Sequence, residues 1–302
     1  MRNSSLVLSI LLAAGLTAGA VCVARAEDNT TNATAEPQST TQEHQMSETD
    51  NAAQAAIEGH PFCWIEFQSK DAVATTKFFA DVFGWQSQPF AQMEGYFIFS
   101  TPKGLMGGIH GDPQLESPKT VPYLYVADID QTLQQINSAG GGTVLGKTEI
   151  PDTDGGHIAL FKDAAGCTLG LADMPMGNEY SPMPFGEGEK PLNNTICSLE
   201  LFGGDFDKTK AFYEELFTWG MKQMGGNYMA FSPGSGVSGV FQNHTPQTPA
   251  VVYVWADDIN AAVEKVKSSG GVMFGDVLDG GEMGRFAYFT APGGVMLGMI
   301  GK

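Results

Sequence analysis

Basic residues are scarce in this sequence of 302 residues, which has 16 lysines and arginines against 34 aspartates and glutamates and a formal net charge of −18. Phosphate backbones and anionic lipid surfaces repel a chain with such an excess of negative charge. The balance argues against nucleic acid as a partner and against a stable membrane contact. Solubility is the simplest reading of the acidity, and attraction of cationic ligands is the alternative.

Cysteine is also rare. The four cysteines lie at positions 22, 63, 167 and 197, and the sequence has no CxxC pair and no cluster of cysteine with histidine. So few cysteines cannot build a disulfide framework, and their spacing does not fit a structural zinc site. We therefore expect the fold to be stabilised by an apolar core.

Long apolar runs are confined to the N-terminus, where Arg2 is followed by LVLSILLAAGLTAGAVCV and then by ARA at 24–26. These three parts are typical of a secretory signal, so residues 1–26 are interpreted as a signal peptide cleaved after Ala26. An uncleaved membrane anchor is the alternative. Cleavage removes two arginines and no acids, which leaves a formal charge of −20. We expect a periplasmic or secreted protein.

Two stretches lack the apolar period of helices and strands. Residues 27–59 contain no lysine or arginine and are rich in small polar residues, and residues 174–193 contain four prolines and three glycines. Such compositions predict a solvated tether and a linker. The folded parts should therefore be residues 60–173, here called module 1, and residues 194–302, here called module 2.

The two modules repeat one another. FFADVFGW (78–85) matches FYEELFTW (212–219), YLYVADID (123–130) matches YVWADDIN (253–260), and GHIALFKDAAGCTLGL (156–171) matches GRFAYFTAPGGVMLGM (284–299). Blocks that recur in the same order indicate a duplicated module. The tandem duplication favours a monomer, because module pairing needs no second chain.

Each half of a module reads as a strand, a helix and further short strands. In module 1 the patterns predict strands at 62–68, 96–100, 104–111, 121–126, 143–147, 157–162 and 167–172, and helices at 71–83 and 130–139. A unit of this βαβββ kind cannot cover its sheet with a single helix, so two units should pair around a cleft. We expect an α+β fold of two tandem modules, each with a curved mixed sheet around a cleft.

The four βαβββ units, the FF/FY…FGW/FTW end of the first helix, the VADID opening of the second and the Asp-x-x-Gly hairpin before the last strand resemble the vicinal oxygen chelate superfamily. That superfamily includes glyoxalase I, extradiol dioxygenases and bleomycin-binding proteins. The resemblance covers nearly all of residues 60–302 and is strongest to the tandem-module, glyoxalase-like members. It implies the fold, but the superfamily carries several unrelated chemistries.

The resemblance also implies where metal-dependent members carry ligands: on the first strand of each unit pair, on the opening strand of the second unit, and on the last strand. None of the residues at these positions has a side chain that holds a divalent cation, apart from one weak serine hydroxyl. A further family position, on the fourth strand, falls within 104–111 or 235–242. We expect no metal and no other cofactor. The three aligned positions hold Trp64, Val121 and Gly170 in module 1 and Ser198, Val251 and Gly298 in module 2.

Glu66 and Glu200 are the candidate catalytic residues. Side chains alternate faces along a strand, so Ile65 and Phe67 should face the helix while Trp64 and Glu66 face the cleft, with Ser198 and Glu200 in the same places of module 2. An inward carboxylate could bind a donor or act as a general base. One end of an internal hydrogen-bonded pair, or a solvated sheet residue, is the alternative. By the same parity, Cys63 and Cys197 should lie under the helix.

Aromatic residues are the candidate ligand-binding residues. They alternate on the strands that begin at Val121 and Val251, and would give the cleft flat walls with polar tips. Packing in the core is the alternative. The predicted ligand-binding residues are Trp64, Tyr123, Tyr125, Ser198, Tyr253 and Trp255.

Three functions fit these residues. The first is an exported, metal-free module that binds a small organic ligand. The second is a lyase or isomerase of the glyoxalase type, acting on a small dicarbonyl or its thiol adduct with Glu66 or Glu200 as the base. The third is a structural or protein-interaction role with collapsed clefts.

Overall fold

The computed structural model describes residues 59–151, 153, 155–174, 190–244, 250–281 and 284–302. The predicted signal peptide, nearly all of the tether and most of the linker lie outside these residues. Among the described helices, none combines the length and apolar character that crossing a bilayer requires.

Module 1 contains eight strands and two helices. The helices, α1 and α2, span Ala72–Phe83 and Ile129–Ser138. The strands are β1 Phe62–Ser69, β2 Gln86–Pro89, β3 Tyr96–Ser100, β4 Gly107–Gly111, β5 Lys119–Tyr125, β6 Gly142–Glu149, β7 His157–Lys162 and β8 Thr168–Ala172.

Module 2 repeats this order. Its helices, α3 and α4, span Phe206–Phe217 and Ile259–Ser268. The strands are β9 Ile196–Phe202, β10 Gly220–Gly225, β11 Tyr228–Ser232, β12 Gly239–Gln242, β13 Ala250–Ala256, β14 Val272–Asp279, β15 Arg285–Thr290 and β16 Met296–Gly301.

Each module forms one mixed sheet of eight strands. The strand order is β2-β3-β4-β1-β5-β8-β7-β6 in module 1 and β10-β11-β12-β9-β13-β16-β15-β14 in module 2. In both, the first strand pairs in parallel with the fourth and antiparallel with the fifth, so the two halves of the sheet join at its centre. The predicted α+β fold with two tandem modules is confirmed.

An aspartate caps the N-terminus of each of the four described helices. The side chains of Asp71, Asp128, Asp205 and Asp258 each accept a hydrogen bond from a backbone N–H group in the first turn. Such N-caps satisfy donors that have no partner within the helix. Helix α1 ends at Gly84, whose φ of 71° lies in the left-handed region that favours glycine.

The helices lie between the two sheets and share one apolar core with them. Phe78 of α1 packs against Phe289 of β15 with 5.9 Å between ring centroids, and Tyr213 of α3 donates a hydrogen bond to Asp163 Oδ2 at 2.8 Å, after β7. Each sheet therefore turns one face towards the shared core, and its other face carries a separate cluster of side chains.

Two details differ from the sequence predictions. Strand β2, whose sequence is the polar QSQP, had no predicted counterpart and forms by pairing with β3 at the edge of the sheet. The expected place of Cys63 and Cys197 under the helices is wrong. A β-bulge after Phe62 sets Cys63 on the same face as Trp64, and a register shift in the β9–β13 pairing does the same for Cys197.

Candidate functional site

The strand β1 directs its side chains as its alternation predicts from Trp64 onwards. Ile65 and Phe67 lie in the shared core, whereas Trp64 belongs to the cluster on the opposite, concave face of the sheet. Glu66, two residues further along, shares that concave face by parity. The equivalent positions of β9, Ser198 and Glu200, line a cavity on the concave face of module 2.

Aromatic side chains occupy the concave face of module 1. Trp64 and Tyr123 are fully buried and Tyr96 is 1% exposed. Two glycines leave room for the rings: a Cβ atom at Gly108 would lie 1.8 Å from the Tyr96 hydroxyl oxygen, and one at Gly170 would lie 2.0 Å from Cδ1 of Tyr123. The rings therefore rest directly on the sheet and fill this face of module 1.

Glu66 is enclosed in this cluster. Its Oε1 accepts a hydrogen bond from Nε2 of Gln68 at 2.9 Å, and its Oε2 has no hydrogen-bond partner among the described residues. Burial raises the pKa of Glu66 from 4.5 to about 7, against the opposing effects of the Gln68 hydrogen bond and the Lys119 charge. Burial thus favours the protonated form of the Glu66 carboxyl, which is fully buried.

Module 2 has an open cavity at the corresponding place, with a volume of about 310 Å³. Met224, which is 45% exposed, lies at its rim. The lining combines apolar, aromatic and polar side chains: Ser198, Glu200, Met224, Gly225, Tyr228, Val240, Tyr253, Phe286, Tyr288 and Ile300.

Glu200 and two tyrosines form the polar part of this cavity. Oε2 of Glu200 accepts a hydrogen bond from the Tyr253 hydroxyl at 2.8 Å and from the Tyr288 hydroxyl at 2.9 Å. Burial, followed by the negative charge of Glu200, raises the pKa of both tyrosines above its ordinary value. Both phenols therefore stay protonated at neutral pH and act as donors to the carboxylate.

Two differences between the repeats explain why, among the described residues, the concave face is open in module 2 and filled by side chains in module 1. Ser198 stands where module 1 has Trp64, so a large ring is replaced by a small hydroxyl group. Val240 pairs with Glu200 as Gly108 pairs with Glu66, and the valine side chain takes the space in which Tyr96 lies. The matching tyrosine, Tyr228, is consequently half-buried at the cavity wall.

The structure brings together some predicted site residues and separates others. Ser198, Glu200 and Tyr253 line the module 2 cavity, and Trp255 is buried nearby with its Nε1 donating to Asp257 Oδ1 at 2.7 Å. Trp255 does not line the cavity. In module 1 the four predicted residues Trp64, Glu66, Tyr123 and Tyr125 are all buried.

Sequence reasoning missed Tyr288, Phe286, Tyr228 and Val240. The first two alternate along β15, and this period-2 signal could have found them. Tyr228 opens the YMAFS strand that repeats YFIFS at 96–100. Val240 could not be placed, because glycines obscure the register of the fourth strand.

Comparison with known proteins shows which family and which proteins this chain resembles. Residues 195–299 match the model of the Glyoxalase/Bleomycin resistance protein/Dioxygenase superfamily. A protein of Mycobacterium tuberculosis (strain CDC 1551 / Oshkosh) named "Putative glyoxylase CFP32" is 25% identical over 251 residues, which cover 78% of this chain and 93% of that protein. These matches confirm the resemblance of the sequence to the vicinal oxygen chelate superfamily.

Solved structures share the fold of this chain. The Mn(II)-bound glyoxalase from Novosphingobium aromaticivorans has a TM-score of 0.59 and 13% identity, covering 80% of this chain and 82% of that chain. Homoprotocatechuate 2,3-dioxygenase from Arthrobacter globiformis has the same TM-score and identity, covering 82% of both chains. Identities this low establish a common fold and leave the activity open.

A bound metal such as that of the Mn(II)-bound glyoxalase does not fit the residues of this chain. The rings of Tyr123 and Tyr253 lie over Gly170 and Gly298, and a Cβ atom at Gly298 would lie 2.5 Å from the Tyr253 ring. A carboxylate side chain has no room at either position. Within the described residues, no group of three or more His, Cys, Asp or Glu could hold a metal ion.

Proposed function

We propose that this protein is exported and binds a small organic ligand in the module 2 cavity, with no metal ion in the site. The observation that supports this proposal is the cavity itself. Its volume of about 310 Å³ lies in the range of pockets that hold small molecules, ~300 to 1,000 Å³. Mostly apolar walls with a few convergent polar groups are typical of such pockets.

Module 1 has a different role in this proposal. Its concave face is occupied by its own aromatic side chains, so it supports the fold and the ligand binds to module 2. Because side chains fill the cleft of module 1 and leave the cleft of module 2 open, we expect one ligand per chain. Helix packing between the two modules already takes place within one chain, which supports the proposed monomer.

Plugging the cavity tests the proposal. Ser198→Trp places in module 2 the ring that fills module 1, and it leaves the net charge unchanged. We expect wild type to show a saturable thermal shift with benzyl alcohol, benzylamine or benzoate, and the Ser198→Trp variant to show none. A variant that keeps the same shift would locate binding elsewhere and overturn the assignment of the cavity.

Metal content and export need separate measurements. Elemental analysis of dialysed protein from the native host should find no stoichiometric Zn, Ni, Mn or Fe, and retention of one of these would contradict a metal-free site. N-terminal sequencing of the exported protein should begin at residue 27. A mature chain that still contains residues 1–26 would instead indicate an anchor.

A glyoxalase-type lyase or isomerase is the second candidate, because Glu200 lies in an open cavity where a carbon acid could approach it. Glu66 is fully buried, so it is the weaker base of the two. Turnover of methylglyoxal should be measured with and without glutathione on wild type and on Glu200→Gln. Activity that is lost in Glu200→Gln would support this candidate, and activity that survives would remove Glu200 as its base.

A further inference from the structure

We propose that the module 2 ligand is a small organic cation, an amine or ammonium compound with an apolar or aromatic body. This inference rests on the proposed function, since it specifies what the same cavity binds. The hydrogen bonds of the polar side chains around the cavity determine whether the site offers donors or acceptors to a ligand.

The hydroxyl protons of the central tyrosines are already used inside the module. Tyr288 donates to Oε2 of Glu200, and Tyr253 donates either to the same oxygen or to the Tyr288 hydroxyl. In both arrangements neither phenol has a proton left for a ligand, because a phenol carries one. Each still has lone pairs that can accept a hydrogen bond.

The other polar side chains follow the same rule. Ser198 donates its hydroxyl proton to the carbonyl oxygen of Ser238 at 3.3 Å, so it too presents lone pairs. No described residue donates a hydrogen bond to Oε1 of Glu200, which leaves a carboxylate oxygen available as an acceptor. The Tyr228 hydroxyl, shared with Nε2 of His244 at 3.5 Å, is the exception among the lining side chains.

The charge of the residues that line the cavity also favours a cation. Among the described residues that line the cavity, Glu200 is the one charged residue, and none is a lysine, arginine or histidine. An acceptor-rich pocket with an uncompensated carboxylate attracts a ligand that brings donors and a positive charge, and repels an anion. The faces of Tyr228, Tyr253 and Phe286 add walls that suit an ammonium group or an aromatic ring.

Three isosteric probes test the charge of the ligand: benzylamine, which is a cation at neutral pH, benzyl alcohol, which is neutral, and benzoate. Affinities should be measured by isothermal titration calorimetry on the full mature chain. We expect benzylamine to bind roughly tenfold more tightly than benzyl alcohol, as a charge-assisted hydrogen bond provides, and benzoate to bind more weakly than both.

Two variants separate the site from the general acidity of the surface. Glu200→Gln should reduce benzylamine affinity by roughly tenfold and benzyl alcohol affinity by much less. Ser198→Trp keeps every surface charge, so any benzylamine binding that it retains measures non-specific attraction.

The outcomes distinguish the two proposals. If benzyl alcohol and benzoate bind as tightly as benzylamine, the cation inference is overturned while the ligand-binding function stands. If no probe binds wild type, or if all bind Ser198→Trp equally well, the proposed function is overturned along with it. If Glu200→Gln binds benzylamine like wild type, Glu200 is not the recognition group and the inference fails.

Discussion

Replacing Glu66 with glutamine should make this protein more stable at high pH and leave its stability at low pH unchanged. Glutamine has nearly the shape of the neutral acid, and its amide oxygen can still accept the hydrogen bond from Gln68. The substitution therefore mimics the protonated carboxyl in every condition. It removes the cost of holding a buried negative charge.

The magnitude follows from the pKa. A carboxyl whose pKa is higher in the folded chain than in the unfolded chain binds its proton more tightly when folded, so its contribution to stability is complete below pH 4.5. That contribution declines between pH 4.5 and about 7 and is lost above. At about 1.4 kcal/mol per pH unit, the loss amounts to roughly 3 kcal/mol in the free energy of unfolding.

Urea unfolding of wild type and Glu66→Gln from pH 4.5 to 8.5 measures this difference. We expect the two proteins to coincide near pH 4.5 and the variant to be more stable by roughly 3 kcal/mol at pH 8. The other buried ionisable groups are present in both proteins, so their contributions cancel. A difference that does not change with pH, or that favours wild type at pH 8, would refute the reasoning.

A second variant checks the same mechanism from the other side. The Gln68 hydrogen bond lowers the pKa of Glu66, so Gln68→Leu should raise that pKa further. The stability of Gln68→Leu should then begin to fall at the same low pH as that of wild type but continue to fall to a higher pH. If the stability of the variant stops falling at the same pH as that of wild type, the Gln68 hydrogen bond does not influence the pKa of Glu66.

Three further predictions concern packing and buried groups. Gly170→Ala should destabilise the chain by roughly 1 to 3 kcal/mol in urea unfolding, because its Cβ would overlap a tyrosine ring, whereas Gly146→Ala, with nothing within 4 Å of its Cβ, should be close to neutral. Tyr213→Phe removes a buried hydrogen bond to Asp163 and should cost about 1 to 3 kcal/mol; equal stability would show that the carboxyl does not need it. The three described thiols are buried, so Ellman's reagent should not modify them in the folded chain, and rapid modification would contradict that burial.

The duplicated pattern made most of the fold predictable. Repeated blocks gave the two modules, and alternation of apolar residues placed Ile65 and Phe67 against the core and Trp64 on the other face. Alternation failed at Cys63, because a bulge inserts one residue and shifts the parity of everything before it. A bulge depends on the pairing of two strands, and a single strand's sequence does not record it.

The side-chain volumes at two positions determine which of the two clefts is open. The difference between Trp64 and Ser198 is visible when the two repeats are aligned. The second difference, Gly108 in module 1 against Val240 in module 2, could be recognised only once the register of the fourth strand was known. The hydrogen bonds to Glu200 could not be predicted from the sequence, for a different reason. Tyr288 meets Glu200 through the curvature of the sheet, across 88 residues of sequence.

The shared core makes the two repeats one folding unit. Phe78 of the first repeat rests on Phe289 of the second, and Phe62 packs against Trp219 with 5.4 Å between ring centroids. Cutting the chain at the linker would expose these rings on both halves, so neither half should stay folded alone. A ligand that tightens the second repeat will therefore also protect the amide protons of the first from exchange, although it never touches that repeat.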